Sequence, residues 1–180
     1  MNSNIEKWDQ IYRNQKWDIE FPERSVQDFY RYHLPSKPKN FKILDVGCGH
    51  GVHSLYLKKK GFKIYGIDTS LTALNLAKKR LGVKKKGILK KCSFEKIDFP
   101  DEYFDAIISK GVLYYGYYNQ LKNGVEEIYR LLKPNSLARI ALRTKRDYLY
   151  NNIKDLKKNS KVITTGLERG LVITFLDKKQ

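Results

Sequence analysis

Nine residues constrain this chain more than any others: Ile43-Leu44-Asp45-Val46-Gly47-Cys48-Gly49-His50-Gly51. The apolar run Phe41 to Val46 reads as a buried strand, and glycine at every second position after it reads as a tight turn in which a backbone without Cβ bends sharply. Val52 to Lys60 follows as a helix stopped by Gly61. Strand, glycine turn and helix in that order open a βαβ unit, and such units bind ligands at the carboxyl ends of their strands.

The rest of the chain repeats the alternation. Phe62 to Ile67 predicts a second strand, Thr69 or Ser70 caps a helix through Leu71, Leu74, Ala77 and Leu81 closed by Gly82, and Gly87 to Lys91 is a short third strand. Asp105 to Ser109 is a fourth strand. Leu121, Val125, Ile128 and Leu132 recur at helical spacing, and Leu137 to Leu142 is a fifth strand. The fold class is therefore α/β: a Rossmann-like, doubly wound, mostly parallel sheet with helices on both faces and right-handed crossovers. Ahead of the loop Pro35-Ser36-Lys37-Pro38-Lys39-Asn40, residues 1–40 form an aromatic arm, read as a lid on the domain at 41–180. Ser25 with Asp28 resembles a capping box in an acidic variant, with Val26, Phe29 and Tyr30 on one helical face.

The turn discriminates between cofactors. A dinucleotide site uses G-x-G-x-x-G and seats a pyrophosphate on the helix N-terminus. Here the spacing is G-x-G-x-G with Asp45 two residues ahead, an acid that would repel pyrophosphate and suit a cationic amino group. S-adenosylmethionine carries such a group and a sulfonium but no phosphate. Asp68 ends the second strand, where a carboxylate can accept both hydroxyls of a ribose.

On these residues the chain resembles the class I S-adenosylmethionine-dependent methyltransferases, from about Trp8 to about Leu142. Asp45 to Gly51 matches the family's first motif and Asp68 its ribose-binding acid. Phe99 to Ser109 is similar to its fourth-strand segment, and Glu127 to Asn135 to its R-x-L-K-P-G helix end, with Asn135 in place of the usual glycine. Where many members carry an acid for the adenine amino group, this chain has Ser93 followed by Phe94. Trp8-Asp9-Gln10-Ile11-Tyr12 with Trp17 resembles the W-D-x-x-Y arm of small-molecule, tellurite-resistance-like members. The resemblance implies S-adenosylmethionine as cofactor and S-adenosylhomocysteine as product. The cofactor residues it implies are Tyr12, Trp17, Asp45, Gly47, Cys48, Gly49, Asp68, Thr69, Ser93, Phe94 and Ser109. The aromatic faces would stabilise the sulfonium by cation–π attraction.

Methyl transfer is an in-line displacement, so no metal is implied and positioning supplies much of the rate. Tyr114 and Lys110, after the fourth strand, are the candidate catalytic groups. That strand lacks the Asn-Pro-Pro-Tyr or Asp-Pro-Pro-Tyr of enzymes that methylate nucleobase or glutamine amino groups, and neither Cys48 nor Cys92 follows a proline as a pyrimidine nucleophile would. The expected acceptor is an oxygen, nitrogen or other heteroatom of a small molecule. None of His33, His50 and His53 has a metal-ligand partner at i+4, and none is assigned a catalytic role.

A net charge of +17 attracts anions of every kind. It admits an anionic small-molecule acceptor and, as an alternative, RNA bound through Lys58-Lys59-Lys60, Lys78-Lys79-Arg80, Lys84-Lys85-Lys86 and Lys90-Lys91. A non-catalytic binder of the cofactor is the third reading. The clusters fall at helix ends and turns, where cations complement the helix dipole, which favours a solvated basic surface. No apolar run approaches the roughly 20 residues of a membrane span, and Met1 to Trp17 has no signal-peptide pattern, so the expectation is a cytoplasmic protein. Beyond the fifth strand, Arg146 to Asn159 is expected as a Lys-rich helix. Lys161 to Thr165 and Leu171 to Leu176 can pair as a hairpin, but the favoured expectation is a shortened C-terminus that leaves the fifth strand as a sheet edge and part of the acceptor pocket missing.

Overall fold

A computed structural model describes residues 4–14, 19–38, 40–83, 87–157 and 159–177. Trp17 and Lys84-Lys85-Lys86 lie outside the described residues. Two helices come first, α1 (Asn4–Arg13) and α2 (Arg24–His33), followed by β1 (Lys42–Val46), α3 (Val52–Lys59), β2 (Lys63–Asp68), α4 (Leu71–Leu81) and β3 (Leu89–Lys91). Then come β4 (Phe104–Ser109), α5 (Tyr118–Leu131), β5 (Leu132–Ile140), β6 (Lys154–Lys157), β7 (Ser160–Val162) and β8 (Val172–Thr174).

The main sheet has the order β3-β2-β1-β4-β5, and every pairing in it is parallel. The order reverses beside β1, so the crevice of a doubly wound sheet opens at the carboxyl end of β1, where the glycine turn lies. Strand alternation divides the core. Ile43, Ala106 and Ile108 face α2 and α3 with Val26, Phe29 and Leu57, whereas Leu44, Val46 and Ile107 face α5 with Leu121, Ile128 and Leu131. Both faces are covered, as an all-parallel sheet requires.

Local signals mostly act where they stand. Ser70 caps α4 by accepting a hydrogen bond from Ala73 N at 3.0 Å, and Gly82 ends it in the left-handed conformation. Asn135 adopts φ of 61°, the conformation that the glycine of the family pattern would take, and β5 bulges there between Leu132 and Leu137. The expected capping box of Ser25 does not form. Glu23 precedes the first helical residue, so Ser25 sits inside the first turn with its Oγ buried and unpartnered among the described residues.

The C-terminus departs furthest from expectation. Among the described residues of Arg146 to Asn159 there is no helix: Asp147 and Tyr148 close turns by accepting from Leu149 N and Asn152 Nδ2, and β6 follows. Short polar side chains that bond their own backbone compete with the helix here. The strand β7 pairs antiparallel with both β6 and β8, in register Lys161 opposite Ile173. This small sheet is separate from the main one; an isolated bridge between Thr144 and Leu176 joins the segment after β5 to the chain just past β8, and Thr174 N donates to Tyr114 O at 2.7 Å. Ile163, Leu171, Ile173 and Phe175 bury their side chains in the core on the α5 side. The fifth strand is the outer strand of the main sheet, and residues after it and from the small sheet line a cavity beside the glycine turn. Among the described residues no helix is long and apolar enough to cross a membrane.

Candidate active site

A cavity of about 790 Å³ opens at the carboxyl ends of β1, β2 and β4. Its floor is the glycine turn. Gly47 and Gly49 have φ of 68° and 53°, and a Cβ at either would drive into a neighbour: Val112 for Gly47 and the hydroxyl of Tyr12 for Gly49. The glycines are thus required by conformation and by close approach together.

Asp68 holds this floor. Its Oδ2 accepts from Gly49 N at 2.9 Å and its Oδ1 from Ser70 N at 2.9 Å, so one carboxylate joins the turn to the head of α4. Burial pushes its pKa up to about 6, partly offset by those two hydrogen bonds, with the neighbouring Asp45 raising it further. An acid with a raised pKa costs the fold stability as it ionises. The cost is absent below the ordinary carboxylate pKa and complete once the pH has risen past about 6. Thr69 also contributes a backbone hydrogen bond to this carboxylate, and a carboxylate, with about four acceptor positions, keeps capacity for a ligand hydroxyl beyond these.

The other expected residues divide. Tyr12, Gly47, Cys48, Gly49, Thr69, Ser93, Phe94, Lys110 and Tyr114 line the same cavity as Asp68. Asp45 and Ser109 do not. Asp45 is 2% exposed and accepts from Ser54 Oγ at 2.6 Å, which ties β1 to α3, and Ser109 is buried behind the wall with its Oγ unpartnered among the described residues. Burial raises the pKa of Asp45, while the nearby His53 opposes the shift.

The arm closes over the floor. Asp9 accepts from Ser70 Oγ at 2.6 Å and from Thr72 N at 3.2 Å, which pins α1 to the start of α4. Trp8 then meets Tyr115 edge-on at 5.0 Å, and Trp8 and Tyr12 lie 6.1 Å apart. His50 and His53 secure the following segment through hydrogen bonds with the backbone of Ile19 and Glu23. Their role as anchors for the arm was not legible, because the partners are backbone groups some thirty residues away.

Opposite the arm, Lys110 pairs with Glu23 at 2.9 Å, so its ammonium serves an ion pair that joins β4 to the arm. Tyr115 donates to Glu168 Oε1 at 2.6 Å, and burial with the nearby acidic groups keeps its phenol well above the ordinary range. Tyr115 is accordingly a neutral donor and not a base. Glu95, Gln120, Arg143 and Glu168 also line the cavity, although no sequence motif includes them. Glu95 was within reach of the sequence: it lies two residues past Ser93, and Gln120 Nε2 donates to it at 2.9 Å. Arg143 and Glu168 lie beyond β5, where no motif marks them.

Residues 44–140 match the family described as a methyltransferase domain. An uncharacterized methyltransferase of Bacillus subtilis, YdaC, is 37% identical over 103 residues, which cover 56% of this chain and 55% of the relative. The ubiquinone biosynthesis O-methyltransferase of Pelagibacter ubique is 29% identical over 131 residues, 71% of this chain and 53% of that protein. The chain spans about half the length of these curated relatives. Among solved structures, the PH0226 protein of Pyrococcus horikoshii superposes with a TM-score of 0.71 at 20% identity, over 94% of this chain and 78% of that one, a likeness of fold.

Proposed function

The chain belongs to the S-adenosylmethionine-dependent methyltransferases, and from that premise we propose that it transfers a methyl group to a heteroatom of a small molecule inside the cavity under the aromatic arm. The observation that carries this reading is the pairing of Asp68 with the glycine turn beneath Tyr12 and Trp8. The donor set fits the cofactor: an acid at the end of β2, a bare backbone turn, and aromatic faces in place of the cations that a pyrophosphate would need. Bound there, S-adenosylmethionine supplies a methyl carbon already activated by a positive sulfur.

The roles of the chain's residues follow from their placement. Asp68 accepts the ribose hydroxyls while Gly47, Cys48 and Gly49 let the backbone approach. Thr69 borders that end. Phe94 packs on the adenine, with Ser93 and Glu95 as acceptors for its amino group. Tyr12, Trp8 and Tyr115 exclude water and face the sulfonium. Asp45 acts from behind the turn by fixing β1 to α3, and Ser109 from behind the wall. Trp17 remains a candidate for the lid. Lys110 and Tyr114 shape the acceptor side, and catalysis rests chiefly on holding acceptor and methyl group in line.

The small-molecule reading also draws on the O-methyltransferase relative, and on the placement of basic residues. Lys58 and Lys59 lie in the last turn of α3, and Lys78, Lys79 and Arg80 in that of α4, where they complement the helix dipoles. Incubation with methyl-labelled S-adenosylmethionine, a small-molecule extract and total RNA should place the label in the small-molecule fraction. Label in the RNA would overturn this reading in favour of nucleic acid.

Asp68 also sets a pH dependence. Its ionised form is the better acceptor for ribose hydroxyls, so cofactor affinity should fall as the pH drops from 7 to 5. With the carboxyl titrating at about 6, ionisation at pH 5 is about one-tenth, and affinity should be lower by roughly that factor. Asp68→Asn should flatten the profile. Calorimetric titrations with S-adenosylhomocysteine at several pH values provide the measurement, and an unchanged affinity across this range would remove Asp68 from the site.

A further inference from the structure

The net charge of +17 does not extend into the cavity. Among the described residues, four acids line it, Glu23, Asp68, Glu95 and Glu168, against the two basic residues Lys110 and Arg143. Both cations are already met: Lys110 by Glu23 at 2.9 Å, and Arg143 by Asp147 at 2.7 Å. Asp68 receives the N–H groups of Gly49 and Ser70 beside the glycine turn, and Glu95 receives Gln120 near Ser93 and Phe94. Glu168 is left, on the side of the cavity where Tyr114 and Tyr115 stand.

The hairpin between β7 and β8 carries this acid. Gly170 N donates to Ile163 O at 2.7 Å and Leu171 N to Glu168 O at 3.0 Å, which fixes the backbone around it. The Tyr115 hydroxyl donates to Glu168 Oε1 at 2.6 Å and holds the carboxylate at the aromatic edge. There Tyr115 meets Trp8 edge-on at 5.0 Å and Tyr114 at 4.7 Å. The other carboxylate oxygen, Oε2, has neither a hydrogen-bond nor an ion-pair partner among the described residues, and it is not sealed from solvent. A carboxylate fixed beside aromatic rings, with one oxygen open and no cation of its own, matches an ammonium: the N–H donors meet the oxygen and the charge lies against the rings.

We propose that the methyl acceptor is a basic amine, bound as its ammonium by Glu168 Oε2 against the rings of Tyr115 and Trp8. The inference rests on the proposed methyl transfer and narrows its heteroatom to nitrogen. An ammonium has no lone pair, so Glu168 also takes the proton that must leave before attack. One N–H bond is lost and one N–C bond forms; the C–S bond breaks with its electron pair on sulfur, and the proton passes from Glu168 to solvent through the open Oε2. The positive charge that leaves the sulfur thus reappears on a nitrogen that faces the acid. Tyr115 is a positioning residue, whose hydroxyl aims the carboxylate. The small C-terminal sheet gains a task as well, since its hairpin supplies the group that selects the substrate.

The test splits a small-molecule extract on a strong cation exchanger and offers each fraction to the enzyme with methyl-labelled S-adenosylmethionine. The label should appear in the retained fraction, and the carbon NMR spectrum of the product should place it on nitrogen. Glu168→Gln, which can still accept the Tyr115 hydroxyl, should lower kcat/KM on that fraction roughly 10- to 150-fold, the worth of charged hydrogen bonds. Glu168→Asp keeps the charge one methylene further back and should recover part. Tyr115→Phe keeps the ring but releases the carboxylate, so its own loss should be smaller and should add little to that of Glu168→Gln. Affinity for S-adenosylhomocysteine should stay at the wild-type value in Glu168→Gln. Equilibrium dialysis of the retained fraction against protein saturated with S-adenosylhomocysteine reads binding without turnover: wild type should hold the amines that become labelled, and Glu168→Gln should release them. Label confined to the unretained fraction, label on oxygen, or full activity of Glu168→Gln overturns the amine and leaves methyl transfer standing. No label in any fraction, with S-adenosylhomocysteine still bound, overturns methyl transfer and this inference with it.

Discussion

Replacing Asp68 with alanine should weaken binding of S-adenosylmethionine by about 3 kcal/mol, roughly 150-fold, the upper range for hydrogen bonds to a charged group. The carboxylate has two tasks. It receives the N–H groups of Gly49 and Ser70 at 2.9 Å each, and in the proposed complex it also receives the ribose hydroxyls. Alanine removes the ligand's acceptor and releases the turn on which the ligand lies. The effect on folding should be much smaller. Burial of the carboxylate, seen in its raised pKa, is a cost that the substitution relieves, and the relief offsets part of the lost hydrogen bonding at neutral pH. Affinity by calorimetry should therefore fall steeply while the melting temperature moves little. A fall in melting temperature that accounts for the whole loss would assign Asp68 a structural role only.

The second large effect is expected at Gly49. At φ of 53° any other residue is strained, by about 1–2 kcal/mol, and a new Cβ collides with the Tyr12 hydroxyl. Gly49→Ala should lower the melting temperature by about 2–8 °C for a chain of this size and also displace the arm, so cofactor affinity falls with it. The two contributions are separable. Adding Tyr12→Phe removes the colliding hydroxyl but leaves the strained backbone, so the double variant should regain affinity more than stability. If Tyr12→Phe gives no recovery, α1 does not press on the turn as described.

These two positions also show what the sequence carried. The glycines at alternate positions and the acid at the end of β2 were readable because both answer local demands: a positive φ, a strand end, a turn that a ligand approaches. Asp45 was equally visible as an acid before the turn, yet its side chain points to Ser54 and not into the cavity, and strand alternation is what turns it away. The crossovers were legible for a similar reason, since runs such as Ile43 to Val46 and Ala106 to Ile108 can be buried only between helical layers. The C-terminus was not. Its strands are three or four residues long, and their apolar residues find a core only because the rest of the domain is already there. Arg143 was hidden by the same circumstance. Its place at the cavity depends on contacts with Tyr114, Asp147 and Leu176, none of which a pattern announces. The arm lies between these cases: its aromatics stand out in the sequence, but the contacts by which Asp9 pins it to Ser70 and Thr72 reach some sixty residues along the chain and carry no local pattern.

The most direct test of the account is a calorimetric titration of the protein with S-adenosylhomocysteine at pH 7.5, repeated with Asp68→Ala and with NAD as the ligand. One saturable site per chain is expected for S-adenosylhomocysteine, displaced by S-adenosylmethionine, severely weakened in Asp68→Ala and absent for NAD. Binding of NAD in competition with S-adenosylhomocysteine, or an affinity for S-adenosylhomocysteine that does not change when Asp68 is removed, would contradict it.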